Sequence, residues 1–134
     1  MATSIFLNIA VSDLPASRTF WESVGFRFNA QFSNEEGAAM VIDDNIFVML
    51  LTHDKFSQFT PKTIADSKTS SEVLICISRN SREAVEDLFN KAIAAGGTEV
   101  RPADDYGFMF SRSFADLDGH IWEVMWMDPN HVQG

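Results

Sequence analysis

The chain carries one pattern twice. Residues 5–11 read Ile-Phe-Leu-Asn-Ile-Ala-Val and residues 71–77 read Ser-Glu-Val-Leu-Ile-Cys-Ile. Each stretch alternates with period two, as a half-buried strand does, and each leads through a polar turn into a helical pattern. Behind the first, Asp13-Leu14-Pro15 can open a helix that carries Phe20, Trp21 and Val24 and stops at Gly25. Behind the second, Asn80 or Ser81 can cap a helix through Ala84, Val85, Leu88, Phe89, Ala92 and Ile93 that stops at Gly96-Gly97. Three further strands follow each helix, at about 26–33, 37–43 and 45–52 in the first half and about 98–103, 108–115 and 120–127 in the second. Asp44-Asn45 and Asp118-Gly119 form the last turns. The expectation is an α+β chain of two βαβββ modules, module 1 at about 4–52 and module 2 at about 71–128. Residues 53–70 connect them; they are polar and hold Pro61, while Phe56, Phe59 and Ile64 suggest that the connection still docks.

Composition narrows the class of partner. At 134 residues the chain can bury one good core or two small modules that share one. Ten Lys and Arg against nineteen Asp and Glu give a net charge of −9, which repels phosphate backbones, so no nucleic-acid partner is expected. No run reaches the length of a membrane span, and no basic region followed by an apolar stretch opens the chain. We therefore expect neither membrane association nor a secretory signal. Cys76 is the lone cysteine. It has no partner for a disulfide within the chain, which agrees with a reducing cytoplasm, and its apolar strand suggests a buried, inert thiol. Twelve Phe, three Trp and six Met exceed what a minimal core needs, and fit an aromatic groove or a subunit interface.

The most informative stretch is Asp118-Gly119-His120-Ile121-Trp122-Glu123-Val124-Met125-Trp126, which sets a single carboxylate into an apolar strand. A carboxylate left unpaired in apolar surroundings takes up a proton or costs several kcal/mol, so such residues bind metals, pair with cations or do acid/base chemistry. An exposed strand face with water as partner would explain Glu123 as well. Alternation puts Ile121, Met125 and Met127 on the face of Glu123, with Trp122, Val124 and Trp126 opposite. On the first strand Ile5, Leu7, Ile9 and Val11 form the packing side, leaving Phe6, Asn8 and Ala10 on the other. On the repeat strand Glu72, Leu74 and Cys76 stand opposite Val73, Ile75 and Ile77.

The pattern resembles the vicinal oxygen chelate superfamily, which contains glyoxalase, bleomycin-resistance proteins, fosfomycin-resistance enzymes and extradiol dioxygenases. The residues that carry the resemblance are Val11-Ser12-Asp13-Leu14-Pro15-Ala16-Ser17, Phe20-Trp21, Gly25-Phe26, Ala95-Gly96-Gly97 and Asp116 to Glu123. Within it the chain looks most like the predicted lactoylglutathione lyase-like proteins. The resemblance implies a single glyoxalase-like domain over 1–134, in which the two modules form a curved mixed β-sheet with helices on the convex face. It also implies a homodimer. In the family a divalent metal such as Zn, Ni, Mn or Fe sits on the concave face on up to four ligands, one from the first and one from the last strand of each module. Those positions are here Phe6, Met49 or Leu50, Glu72 and Glu123. Phe, Met and Leu are not useful ligands for such cations, so the metal site is expected to be incomplete, with only Glu72 and Glu123 as ligands. His120 points away from Glu123, His53 follows a strand end and His131 lies in the tail.

Without a metal, Glu72 and Glu123 facing one cavity would repel, so that one holds a proton; such a pair recognises a cation or acts as general base and acid. Arg112 can anchor an anionic substrate, pair with one of these glutamates, or be a surface charge. Tyr106 and Phe108 can wall the groove, and Asn8 can orient a polar group of the ligand. Two functional classes follow. One is a small-molecule binder of the bleomycin-resistance kind, taking a planar or cationic compound with no metal needed. The alternative is a metal-dependent lactoylglutathione lyase-like isomerase or dioxygenase in which Glu123 serves as ligand or base.

Overall fold

A computed structural model describes residues 2–131. The chain divides into two compact units, Met1–Ala65 and Asp66–Gly134, whose boundary falls inside the expected connection. The first unit runs β1 (Ile5–Val11), α1 (Leu14–Val24), β2 (Arg27–Asn29), a 3-10 turn at Ala30–Phe32, β3 (Gly37–Asp43), β4 (Ile46–Thr52) and α2 (His53–Ser57). The second runs β5 (Ile75–Ser78), α3 (Arg82–Ala94), β6 (Thr98–Asp105), β7 (Met109–Ala115) and β8 (Ile121–Met127). Each unit holds a four-stranded mixed sheet, ordered β1-β4-β3-β2 and β5-β8-β7-β6. In both, the first strand pairs parallel with the last and the other pairs are antiparallel. The repeat in sequence is thus a repeat in topology.

The helices begin and end where the local chemistry sets them. Asp13 accepts the Ala16 N–H at 3.1 Å, Pro15 falls in the first turn, and Gly25 leaves the helix at φ +116°, a conformation that a side chain would strain. Of Asn80 and Ser81, Ser81 caps α3, accepting the Ala84 N–H at 3.0 Å. Leu14, Phe20, Trp21 and Val24 make the buried side of α1, and Val85, Leu88, Phe89 and Ala92 that of α3. In the first sheet Ala38, Met40, Val48 and Leu50 are wholly enclosed; in the second Phe114, Trp122 and Val124 are. Each large apolar side chain so buried stabilises by about 1.5–3 kcal/mol, which is what fixes the strand register.

Two elements differ from the sequence expectation. β2 spans Arg27–Asn29 only, because the Asn29 side chain accepts the Gln31 N–H at 2.9 Å and turns the chain into the 3-10 segment. β5 starts at Ile75 rather than near 71. Its partner β8 begins at Ile121, and the residues before it are tied elsewhere, with the His120 N–H on the Asp116 carboxylate at 3.0 Å. Residues 71–73 therefore fall before the start of β8 in this register, and pairing begins at Ile75. In the connection, Thr52 caps α2 through the Lys55 N–H, while Phe56 and Ile64 are half-buried and Phe59 is exposed. No helix among the described residues is long and apolar enough to cross a membrane.

Candidate ligand site on the second sheet

The two faces of β8 do different work. Trp122 and Val124 are enclosed on the α3 side, and the Trp122 indole N–H donates to the Asp116 carboxylate at 3.1 Å. Asp116 also accepts the backbone N–H groups of Asp118 and His120, both at 3.0 Å, so its carboxylate organises the turn before β8. Burial pushes its pKa up, against the opposing pull of His120 and of these hydrogen bonds. The His120 ring meets the Ser67 hydroxyl at 3.0 Å. Gly119 sits at φ +92°, where a Cβ would come within 2.8 Å of the Ser67 carbonyl oxygen, so glycine is required for the close approach of residues 67 and 68.

On the opposite face, one row of side chains crosses all four strands. Cys76 of β5 is in register with Glu123 of β8, Glu123 with Ser113 of β7, and Ser113 with Arg101 of β6. Arg101 reaches across β7, and its guanidinium donates to the Glu123 carboxylate at 3.0 Å and also to Asp104. The hydrogen bonds to Asp104 and then to Glu123 hold the Arg101 pKa above its usual value. Ser113, beneath this span, is 2% exposed, and its hydroxyl oxygen is buried without a hydrogen-bond partner among the described residues. The Glu123 side chain is 23% exposed and that of Arg101 46%. At the Ile121 end of the sheet lies a recess of about 560 Å³, lined by residues 67–71 and by Thr98, Ala115, Leu117 and Ile121, and not by Glu123, Ser113 or Arg101.

Arg101 reaches this face because β6 is irregular. Glu99 lies opposite Phe114 while Arg101 lies opposite Ser113, so two residues of β6 oppose one step of β7, and a second shift follows before Asp104 meets Ser111. An extra residue in a strand reverses which face the following side chains take. Regular pairing from Glu99 would have set Arg101 across from Arg112. The first shift turns it to Glu123 instead, and the second brings Asp104 to the same side. Pro102, within this edge strand, is the one signal in the sequence that the pairing is broken there.

The other expected site residues are distributed as follows. Glu72 is exposed and precedes β5; the β5 neighbour of Glu123 is Cys76. Cys76 is exposed rather than buried, since β5 pairs on one side only and its residue faces away from α3; desolvation first and the Glu123 charge second push its thiol pKa up. Arg112 lies on the α3 side, bonded to Glu86 at 2.6 Å and Glu99 at 2.9 Å, with its guanidinium 3.7 Å from the Phe89 ring centre. It pairs with glutamates, though not with Glu72 or Glu123. Tyr106 and Phe108 are exposed at the end of the β6–β7 hairpin, where the His131 ring stacks on Phe108 at 4.0 Å.

In the first unit, β4 separates the two alternatives weighed for one position. Leu50 is enclosed on the α1 side, in register with Ile9 and Ala38, whereas Met49 is in register with Asn8 and Ala39 on the other face. Phe6 shares that face, 58% exposed and stacked on Phe47 at 5.0 Å. Asn8 is the polar side chain there among Phe6, Ala10, Phe47 and Met49.

Structural divalent-metal sites use four protein donors and catalytic ones at least three. Among the described residues no three His, Cys, Asp or Glu side chains come together in that way. Glu123 has a thiol and a hydroxyl as strand neighbours, and its carboxylate is bonded to Arg101. The donor set around it does not fit a resident metal.

Two mixed βαβββ sheets of the same strand order, each with its helix over one face and the opposite face only partly exposed, define an α+β protein of two like modules. The chain belongs to the Glyoxalase/Bleomycin resistance protein/Dioxygenase superfamily, whose family model matches residues 5–124. Among solved structures it is similar to a hypothetical protein from S. aureus, 27% identical over 94% of both chains with a TM-score of 0.79. It is also similar to a glyoxalase-related enzyme from Fulvimarina pelagi, 25% identical over 94% of this chain and 87% of that one, TM-score 0.75. A fosfomycin resistance protein from Mesorhizobium loti shares the fold at 16% identity, covering 97% of this chain and 96% of that one, TM-score 0.69. None of the curated proteins matches the chain.

Proposed function

We propose that this protein binds a small planar or cationic molecule on the open face of the second sheet, centred on Glu123, at a position where the metal chemistry of the superfamily has degenerated. The observation that carries this reading is the 3.0 Å pair between Arg101 and Glu123. A carboxylate neutralised by a protein guanidinium is a poor ligand for a resident divalent ion, yet it can exchange one cation for another. Thioethers of Met125 and Met127 follow it along the same face and suit the apolar part of a ligand. The recess near Ile121 offers volume for a small molecule, and the net charge of −9 favours a cation over an anion. On the first sheet, the exposed Phe6 with Phe47, Met49 and Asn8 is suited to stacking on a planar group. A homodimer and a cytoplasmic location belong to the same proposal, supported by the exposed aromatic surface and by the single cysteine.

The test is calorimetric titration of the full chain with divalent metals and with a panel of aromatic cations, repeated on Glu123→Gln. Binding of an organic cation that disappears in the variant supports the proposal. One metal per chain, lost in the variant, would overturn it and favour the lactoylglutathione lyase-like isomerase instead.

A further inference from the structure

We propose that Arg101 is the specificity-determining residue of this site, a built-in competitor that a ligand must move from Glu123 to Asp104 in order to bind. The inference rests on the ligand site proposed above. Arg101 holds two carboxylates at once, Glu123 on β8 and Asp104 on its own strand. Releasing Glu123 therefore does not leave the guanidinium without a partner, because Asp104 retains it. The cluster of one guanidinium and two carboxylates carries one negative charge more than positive, so a monocation seated on Glu123 completes its neutralisation, whereas an anion seated on Arg101 would deepen the imbalance.

Ser113 supplies the independent observation. Its hydroxyl is buried, lies on the face of Glu123 beneath the arginine, and has no hydrogen-bond partner among the described residues. A buried polar atom left unpaired costs about 1–3 kcal/mol, and that cost is relieved when a donor arrives. A ligand with two N–H groups on one centre, an amidinium or a primary ammonium, reaches Glu123 with one and Ser113 with the other once Arg101 has withdrawn. Tertiary ammonium ions, with a single N–H, and neutral amides lack one of the two requirements. Arg101 so screens ligands by charge and by donor number.

Benzamidine is the probe, with benzamide as its neutral counterpart and benzoate as the anion. Calorimetric titration of the full chain should give binding of benzamidine alone. Arg101→Gln should tighten it by about fivefold at most, the ratio expected when a partly exposed competitor keeps the site closed roughly four-fifths of the time. Arg27→Gln, an exposed position on the other sheet, makes the same change in net charge and should leave the affinity within about twofold, which separates competition from long-range attraction. Asp104→Asn, which removes the second anchor of the guanidinium, should weaken binding. Circular dichroism of each variant establishes that it is folded. Unchanged or weaker affinity in Arg101→Gln, or benzoate bound in place of benzamidine, overturns the inference, as does failure of benzamidine to bind both the wild type and Arg101→Gln. Affinity lost in Glu123→Gln but unmoved in Arg101→Gln would remove the role of Arg101 and leave the Glu123 site standing. Indifference to both variants would remove both.

Discussion

The two sheets share strand order, a parallel first-to-last pair and a helix over one face, yet their open faces differ in chemistry. Across β1, β4, β3 and β2, the row through Met49 reads Asn8, Met49, Ala39, Asn29; across β5, β8, β7 and β6, the row through Glu123 reads Cys76, Glu123, Ser113, Arg101. The first is neutral and the second contains an ion pair, a thiol and a buried hydroxyl. Residues facing the helices are constrained by packing, so both modules keep large apolar groups there. Residues on the open faces are constrained only by what they meet, and there the modules have diverged. Fold and site are written on opposite sides of the same strands.

The largest effect should come from testing that division on adjacent residues. Trp122→Ala empties an enclosed position and orphans a carboxylate oxygen of Asp116, and should cost about 3–5 kcal/mol in urea denaturation. Glu123→Gln, one residue on, should cost under about 1 kcal/mol, because its pair is partly exposed and screened. Equal losses would break the comparison. A smaller effect sharpens the row itself. Since Glu123 is the second cause of the raised Cys76 thiol pKa, Glu123→Gln should speed alkylation of Cys76 at pH 8 by a few-fold; an unchanged rate would mean that the two are not electrostatically coupled.

The smallest effect lies away from the row. Hydrogen bonds from Arg82 hold the Asp105 pKa at about 2, below its ordinary 3.8. A carboxylate whose pKa is depressed in the folded state contributes stability above its ordinary pKa, and loses that contribution as pH falls through the folded value. Asp105→Asn should therefore flatten the acid limb of stability between about pH 4 and pH 2 without altering binding at the Glu123 row, since Arg82 lies against Phe110 and Trp126 on the other face of the sheet.

Most of the architecture was legible because period-two alternation and capping residues are local signals. Asp13, Gly25 and Ser81 act where the sequence places them, and Trp122 and Val124 fall on the packing side of β8. Glu123 was legible as a lone carboxylate in an apolar strand. Glu72 was not placed correctly relative to its strand, because alternation continues past the point where β8 stops offering a partner. Arg101 and Ser113 were missed for a different reason: face assignment by counting assumes regular pairing, and two shifts in β6 break that assumption on either side of Arg101. Only Pro102 hinted at it. Arg112 was legible as a cation within a strand, but its place on the α3 side, packed on Phe89 between Glu86 and Glu99, depends on residues distant in sequence that alternation does not bring to it.

The irregular pairing of β6 also bears on how a protein of this kind changes over generations. A substitution alters one side chain, but gaining or losing one residue between Glu99 and Arg101 would exchange the faces of everything up to the next irregularity, sending a cation from one side of the sheet to the other in a single event. β6 is the edge strand farthest from the parallel pair, and among the described residues no strand pairs with its outer side to fix its length. Insertions and deletions in this strand are thus a short route between ligand preferences, one that leaves the enclosed residues of β7 and β8, and with them the fold, untouched.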